Sequence, residues 1–225
     1  MTGTLHVIGT PIGNLEDITL RALRVLKEVD IILCEDTRMT KRLLDTYGVP
    51  TRTMSYHTHS TEGKEDSIVA MLSEGKNLAL VSDAGTPGIS DPGVVLVSHI
   101  RTKLPTANIV AVPGPSALVA ALSIAGLPAH EFTFFGFIPH KKGRETLFKE
   151  IAETKRTVVF YESPHRIEKT LASLNEYVPE RTIAIARELT KIYEEIVSGT
   201  PAKVIEYFAN NTDKLRGEFA VIIAP

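Results

Sequence analysis

Three loops rich in glycine and proline constrain this chain more than any other feature. They are Gly9-Thr10-Pro11-Ile12-Gly13-Asn14, the stretch from Ser82 to Gly93 (SDAGTPGISDPG), and Val112-Pro113-Gly114-Pro115-Ser116-Ala117. Each follows a short apolar run, and each leads into an amphipathic or small-residue segment of helical character. Parallel strands covered by helices generate that order. In such sheets ligands gather outside the carboxyl ends of the strands, where these loops fall. The expectation is an α/β fold with one ligand site shared by three loops.

The flanking pattern supplies the elements. Strands are predicted at Leu5–Ile8, Ile31–Cys34, Leu78–Val81 and Ile109–Val112. Helices are predicted from an N-cap at Asp17, with Ile18, Ala22, Val25, Leu26 and Val29 on one face, and near Met39–Tyr47, Glu65–Ser73, Val94–Lys103 and Ser116–Ala125. Gly48 and Gly75 stand where helix stops belong. Beyond an aromatic stretch, Phe132–Phe137, come strands at Val158–Tyr161, Ile183–Ala186 and Phe219–Ile223, with helices near Arg166–Tyr177 and Ala202–Phe208. The 225 residues, 43% hydrophobic and 23% charged, suffice for two modest cores. A boundary is placed near Gly114–Ala129, giving domains 1–114 and 115–225. No repeat or low-complexity tract interrupts them.

Charge and composition exclude several function classes. A net charge of −2 argues against a protein that holds free nucleic acid mainly by neutralising phosphates, so any RNA contact must be local. No apolar run approaches a membrane span, and the expected location is cytoplasmic. The single cysteine, Cys34, reads as a small buried hydrophobe. His57 and His59 would share one face of a strand, but no third ligand accompanies them, so no metal is expected. No Ser-His-Asp set or G-x-S-x-G elbow is present.

The loops themselves narrow the chemistry. The first is not G-x-G-x-x-G, Pro11 has no N–H to offer phosphate, and the lysine of a phosphate-binding P-loop is missing. A tight turn without a ligand remains the plain alternative. In the second, glycines permit close backbone approach and prolines lower the ordering cost of binding, which suits a flat adenine or a ribose. Asp83 there either meets hydroxyls or a cation, or caps the next turn. In the third, Ser116 stands where a helix N-terminus can meet a carboxylate, although capping alone would also explain a serine.

These loops, with Phe160-Tyr161-Glu162-Ser163-Pro164-His165-Arg166 and Ala186-Arg187-Glu188-Leu189-Thr190-Lys191, resemble the ribosomal RNA small subunit methyltransferase I family of the tetrapyrrole methylase superfamily. The resemblance covers nearly the whole chain. It implies a two-domain class III methyltransferase fold, each domain a sheet flanked by helices, with S-adenosylmethionine (SAM) folded in the cleft between them, and a homodimer. Cofactor-binding positions map onto Pro11, Asp83, Gly85, Thr86, Ser116, Ala117, Tyr161 and Glu162. The implied product is a 2′-O-methylated cytidine in the decoding region of 16S rRNA, within the small ribosomal subunit. Longer members carry an additional carboxyl-terminal segment absent from this sequence, which leaves substrate docking open.

Methyl transfer to a ribose hydroxyl requires alignment and removal of one proton. Glu188 and Lys191, three apart after a strand, are the candidate catalytic pair, since a desolvated lysine can lose its charge and act as a base. Arg38 would hold substrate phosphate or pair with Glu35 or Asp36. Lys141, Lys142 and Arg144 form a basic loop for RNA beside aromatics, of which Phe132, Phe134 and Phe135 are expected in the core. Ser163 is expected to cap the helix that follows, near His165. Two other functions fit the same pattern: methylation of a small tetrapyrrole-like substrate, and a non-catalytic RNA-binding assembly factor.

Overall fold

A computed structural model describes residues 2–57 and 62–225, so His59 lies outside the described residues. The chain divides into two compact units, Met1–Ser116 and Ala117–Pro225.

The first unit runs β1 (Thr4–Ile8), α1 (Leu20–Glu28), β2 (Ile31–Cys34), α2 (Thr37–Thr46), β3 (Thr53–Ser55), α3 (Glu62–Ser73), β4 (Leu78–Leu80), α4 (Gly93–Lys103) and β5 (Asn108–Val112). Its sheet has the order β3-β2-β4-β1-β5, and every pairing is parallel. The two-residue period of a strand sorts β2 between two apolar layers. Ile32 and Cys34 pack with Ala22, Leu26 and Leu43 from α1 and α2, whereas Ile31 and Leu33 pack with Ile68, Leu72 and Leu96 from α3 and α4. Covered on both faces, β2 and β4 are buried along their whole length, which is why they read as unbroken apolar runs.

Two helix starts differ from expectation. Asp17 does not cap α1; it ends a 3-10 turn, Leu15–Asp17, whose cap is Asn14 accepting from the Glu16 amide at 3.1 Å. The cap of α1 is Thr19, whose hydroxyl accepts from the Ala22 amide at 3.1 Å. Helix α2 begins earlier than predicted because Asp36 accepts the Arg38 amide at 2.8 Å. Strand β3 ends at Ser55, so His57 is not on it.

The second unit runs α5 (Ala117–Ile124), β6 (Phe132–Phe137), α6 (Arg144–Glu153), β7 (Thr157–Glu162), α7 (Ile167–Tyr177), β8 (Ile183–Arg187), β9 (Glu195–Gly199), α8 (Pro201–Ala209) and β10 (Phe219–Ile223). Its sheet order is β6-β7-β10-β8-β9. Only β6 and β7 are parallel; β10 runs antiparallel to both its neighbours, and β9 to β8. The parallel pattern expected throughout therefore holds for the first unit alone. Seven residues between β8 and β9 are too few for a crossover and force a reversal. The core gathers Phe148, Phe160, Leu171, Ile185, Phe208 and Val221. Phe135 packs against it, but Phe132 is 41% exposed and not a core residue.

Candidate cofactor site and basic turn

Parallel order in the first unit puts the loops after β1, β4 and β5 at one edge of the sheet. They are joined there by backbone. Gly9 donates to the Val112 carbonyl at 3.1 Å, and Thr10 and Gly85 exchange two amide hydrogen bonds of 2.9 and 3.1 Å. The buried Thr10 hydroxyl donates to the Ser82 carbonyl at 3.1 Å, and that of Thr86 to the Pro115 carbonyl at 3.2 Å. A β-carbon on Gly9 would lie 2.8 Å from Gly114 Cα, and one on Gly114 would lie 2.6 Å from the Gly9 oxygen. Gly85 and Gly88 hold φ of 81° and 85°, values that a side chain would strain. Asp91 fixes the far end of its loop by accepting from the Gly88 and Gly93 amides, each at 2.8 Å.

The expected cofactor positions of this unit fall on that assembly. Pro11 is buried, Gly85 lies in the bridge to Thr10, and Ser116 directly precedes α5. Asp83 is exposed and does not cap its own turn; its Oδ1 accepts the Asp36 amide at 3.1 Å, tying the end of β4 to the end of β2. Glu35, on the same edge, has its carboxyl pushed up by burial and by the charges of Asp83 and Asp91. This acidic rim favours hydroxyls and cations over phosphate. Arg38 does not alter that, because it forks onto Asp36 at 3.1 and 2.7 Å and pulls that carboxyl down to about 2. The ion pair with Asp36 is thus the arrangement present, and Arg38 would have to leave it to reach phosphate.

In the second unit, Tyr161 and Glu162 end β7. The Tyr161 ring meets Phe134 edge-on at 5.0 Å and Phe137 at 5.4 Å; burial pushes its phenol up against a smaller opposing effect of the Leu118 amide. The Glu162 side chain is wholly buried. Its Oε1 accepts from Ser163 N at 2.8 Å and pairs with Arg166 at 2.7 Å, while Oε2 accepts from the Thr170 hydroxyl at 2.6 Å and faces Arg144 at 3.7 Å. A cofactor contact through this carboxylate is closed off by those four partners. Arg144, expected to reach RNA, is only 6% exposed and bonds Thr170 at 2.8 Å. Of the basic loop, Lys141 and Lys142 alone face solvent. Ser163 does not cap α7; its hydroxyl accepts from Arg166 Nε at 3.1 Å.

A family model described as Tetrapyrrole (Corrin/Porphyrin) Methylases matches residues 4–205. A protein of Halalkalibacterium halodurans named ribosomal RNA small subunit methyltransferase I is 45% identical over 98% of this chain and 75% of its own length. Its namesake in Thermotoga maritima is 43% identical over 99% of this chain and 98% of its own length. The chain belongs to the ribosomal RNA small subunit methyltransferase I family. More distant solved structures share the fold of these methyltransferases. Uroporphyrin-III C-methyltransferase of Thermus thermophilus, complexed with S-adenosyl homocysteine, is 20% identical with a TM-score of 0.67, covering 99% of this chain and 97% of that one. The methyltransferase CobJ is 20% identical with a TM-score of 0.70, covering 99% and 94%.

Glu188 and Lys191, the candidate catalytic pair of this methyltransferase, are locked in a triad. Lys191 bonds Glu188 and Glu218, each at 2.8 Å. Burial works to lower the lysine, but the two carboxylates outweigh it and hold it above the usual lysine range. Both partners favour the charged form of Lys191 and so work against a neutral lysine acting as base. Burial likewise opposes ionisation of Glu188, and Lys191 together with the Glu218 amide reverses that and holds the carboxyl low. Among the described residues only Glu188 (φ 50°) and Thr190 (φ 64°) are non-glycines at positive φ, a strained turn kept by this triad.

Several residues that brace these loops and turns received no role from the sequence. Thr10 lay inside the first loop and carried no signal beyond its motif. Thr170, Arg166 and Glu218 depend on contacts between distant segments, which spacing does not encode. Among the described residues no His, Cys, Asp or Glu cluster could hold a metal ion, and no helix is long and apolar enough to cross a membrane.

Proposed function

We propose that this chain methylates small-subunit ribosomal RNA with SAM as donor, at the ribose 2′-hydroxyl of a cytidine in the decoding region, and that it works as a homodimer on the assembled subunit. The observation that carries this reading is the joining of three strand-end loops into one backbone assembly with an acidic rim. The residues fit the cofactor: loops drawn together through glycines with no room for a β-carbon, carboxylates suited to hydroxyls and an amine, and the one arginine described at this rim, Arg38, engaged by Asp36 and not offered to phosphate. Pro11, Asp83, Gly85, Thr86 and Ser116 would hold it.

Bound SAM supplies an electrophilic methyl on a sulfonium. The chain's own work is orientation and water exclusion, since in-line displacement at a methyl asks for alignment more than covalent help. Backbone groups of the loops orient the nucleoside, and the Asp83 charge answers the cationic donor. Lys141 and Lys142 meet RNA phosphate as a local basic turn, which reconciles an RNA substrate with an overall charge of −2. Glu188 and Lys191 serve as a fixed ion pair shaping the turn after β8. The deciding assay is methyl transfer from labelled SAM to small subunits that lack the modification, with the labelled nucleotide mapped. Label on one cytidine ribose is expected. Label on a porphyrinoid alone would support the small-molecule reading, and RNA binding without transfer the assembly factor.

A further inference from the structure

The residues Pro139 to Gly143, which carry Lys141 and Lys142, lie between β6 and α6 after the buried Ile138 and are exposed throughout. An exposed basic turn would ordinarily sample many positions, at a cost to binding each time it is ordered. Here both ends are held by arginines. Arg166 Nη1 donates to the Ile138 carbonyl, the last peptide before the turn, at 2.7 Å. Arg144 closes the other end, its amide donating to the Lys141 carbonyl at 3.2 Å and its guanidinium to Thr170 at 2.8 Å. Both guanidiniums face the carboxylate of Glu162, at 2.7 and 3.7 Å. Thr170, which takes the Arg144 bond, gives its own proton to that carboxylate at 2.6 Å. One buried anion thus anchors both flanks of the turn to the end of β7.

Resting on the functional reading above, we propose that Glu162 and Arg166 are positioning residues for RNA: they fix the Lys141-Lys142 turn so that its charges meet the substrate backbone in one place. Arg166 spends all three of its nitrogens on this task, on Ser163, Ile138 and Glu162. A lysine has no planar fork and cannot serve all three at once. Arg166→Lys keeps the charge beside Glu162 while releasing the Ile138 carbonyl, and so loosens the turn without leaving a buried carboxylate unpaired. Glu162→Gln is the complementary change, nearly equal in volume: its one oxygen can keep the Ser163 amide bond, while its NH2 cannot accept from the Thr170 hydroxyl as Oε2 does.

The test combines kinetics, hydrogen exchange and a mutant cycle. In Arg166→Lys the KM for small subunits should rise about tenfold, with kcat and the calorimetric Kd for S-adenosylhomocysteine within twofold of the parent. Amides of residues 140–143 should exchange faster, and Glu162→Gln should show the same pattern in weaker form. Combining Arg166→Lys with Lys141→Ala and Lys142→Ala should raise KM no further than the lysine changes alone, because a turn without its charges gains nothing from being held. A merely structural role predicts additive effects and equal losses in both substrates. Full additivity, or unchanged exchange at 140–143, overturns the proposal. If the parent transfers no methyl to RNA, the functional reading fails by itself, and the exchange arm still decides whether Arg166 holds the turn.

Discussion

Gly9 and Gly114 touch backbone to backbone, so that the loop after β1 and the loop after β5 share one surface with no space for a side chain from either. Gly9→Ala or Gly114→Ala must separate them, since the added carbon would stand 2.8 Å from Gly114 Cα or 2.6 Å from the Gly9 oxygen. Overpacking of this kind costs roughly 1–3 kcal/mol. Each variant should unfold a few degrees earlier, and calorimetry with S-adenosylhomocysteine should show at least tenfold weaker binding. A variant that keeps full affinity would place the cofactor elsewhere.

Asp83 separates charge from scaffolding. Its Oδ1 accepts the Asp36 amide, a bond that asparagine can also make, while its side chain is exposed. Asp83→Asn should leave thermal unfolding within about a degree and weaken S-adenosylmethionine about tenfold, as expected for a lost charge-assisted contact near 1.5 kcal/mol. The neutral product should lose less. Equal losses for the two ligands would mean that Asp83 meets hydroxyls and not the cationic centre.

What the sequence disclosed and what it hid follow from how locally each feature is encoded. The three loops were legible because glycine and proline act on their own backbone. So were β2 and β4, whose unbroken apolar runs record burial on both faces. Strand direction is not local, and nothing in Phe219–Ile223 indicates that β10 lies antiparallel between β7 and β8. Helix α6 was invisible because Gly143, at φ 84°, precedes it without a side-chain cap. Strand β6 was obscured by a register shift between Phe134 and Phe137, which breaks the alternation. Arg144 misled because a basic run reads as solvated, and the carboxylate that draws it inward stands eighteen positions along the chain.

The Glu188–Lys191–Glu218 triad has a definite pH window. The Glu188 carboxyl is held below its ordinary value, so its contribution to stability is present above the unfolded pKa and lost as pH falls through the folded one. Lys191 is held above its ordinary value, so its contribution is present below the unfolded pKa and lost as pH rises through the folded one. Lys191→Met should therefore lower Tm most between about pH 5 and 10, by roughly 4–8 °C for a loss on the order of 2 kcal/mol. The gap to the parent should narrow toward pH 3. Because the lysine stays charged across the neutral range, the pH profile of methyl transfer between 6 and 9 should show no ionisation that this substitution removes. Disappearance of such a limb in Lys191→Met would restore the lysine as a base.

Lys141 and Lys142 on one side and Arg144 on the other should part company when their charges are removed, though they stand within four residues. The lysines are exposed and contribute little to folding. Lys141→Ala with Lys142→Ala should keep the Tm and the affinity for S-adenosylhomocysteine while weakening binding to the small subunit. If each lysine meets one phosphate of unpaired RNA, the slope of log affinity against log salt should flatten by about 1.4, at roughly 0.7 per contact. Arg144→Ala instead removes a buried partner of Glu162 and of Thr170, at a cost of about 3 kcal/mol and roughly 6–12 °C in Tm. Its salt slope should match the parent, because a guanidinium turned into the core releases no counterion when RNA binds. A flattened slope in Arg144→Ala, or an unchanged one in the double lysine variant, would show that the wrong charges have been assigned to the RNA.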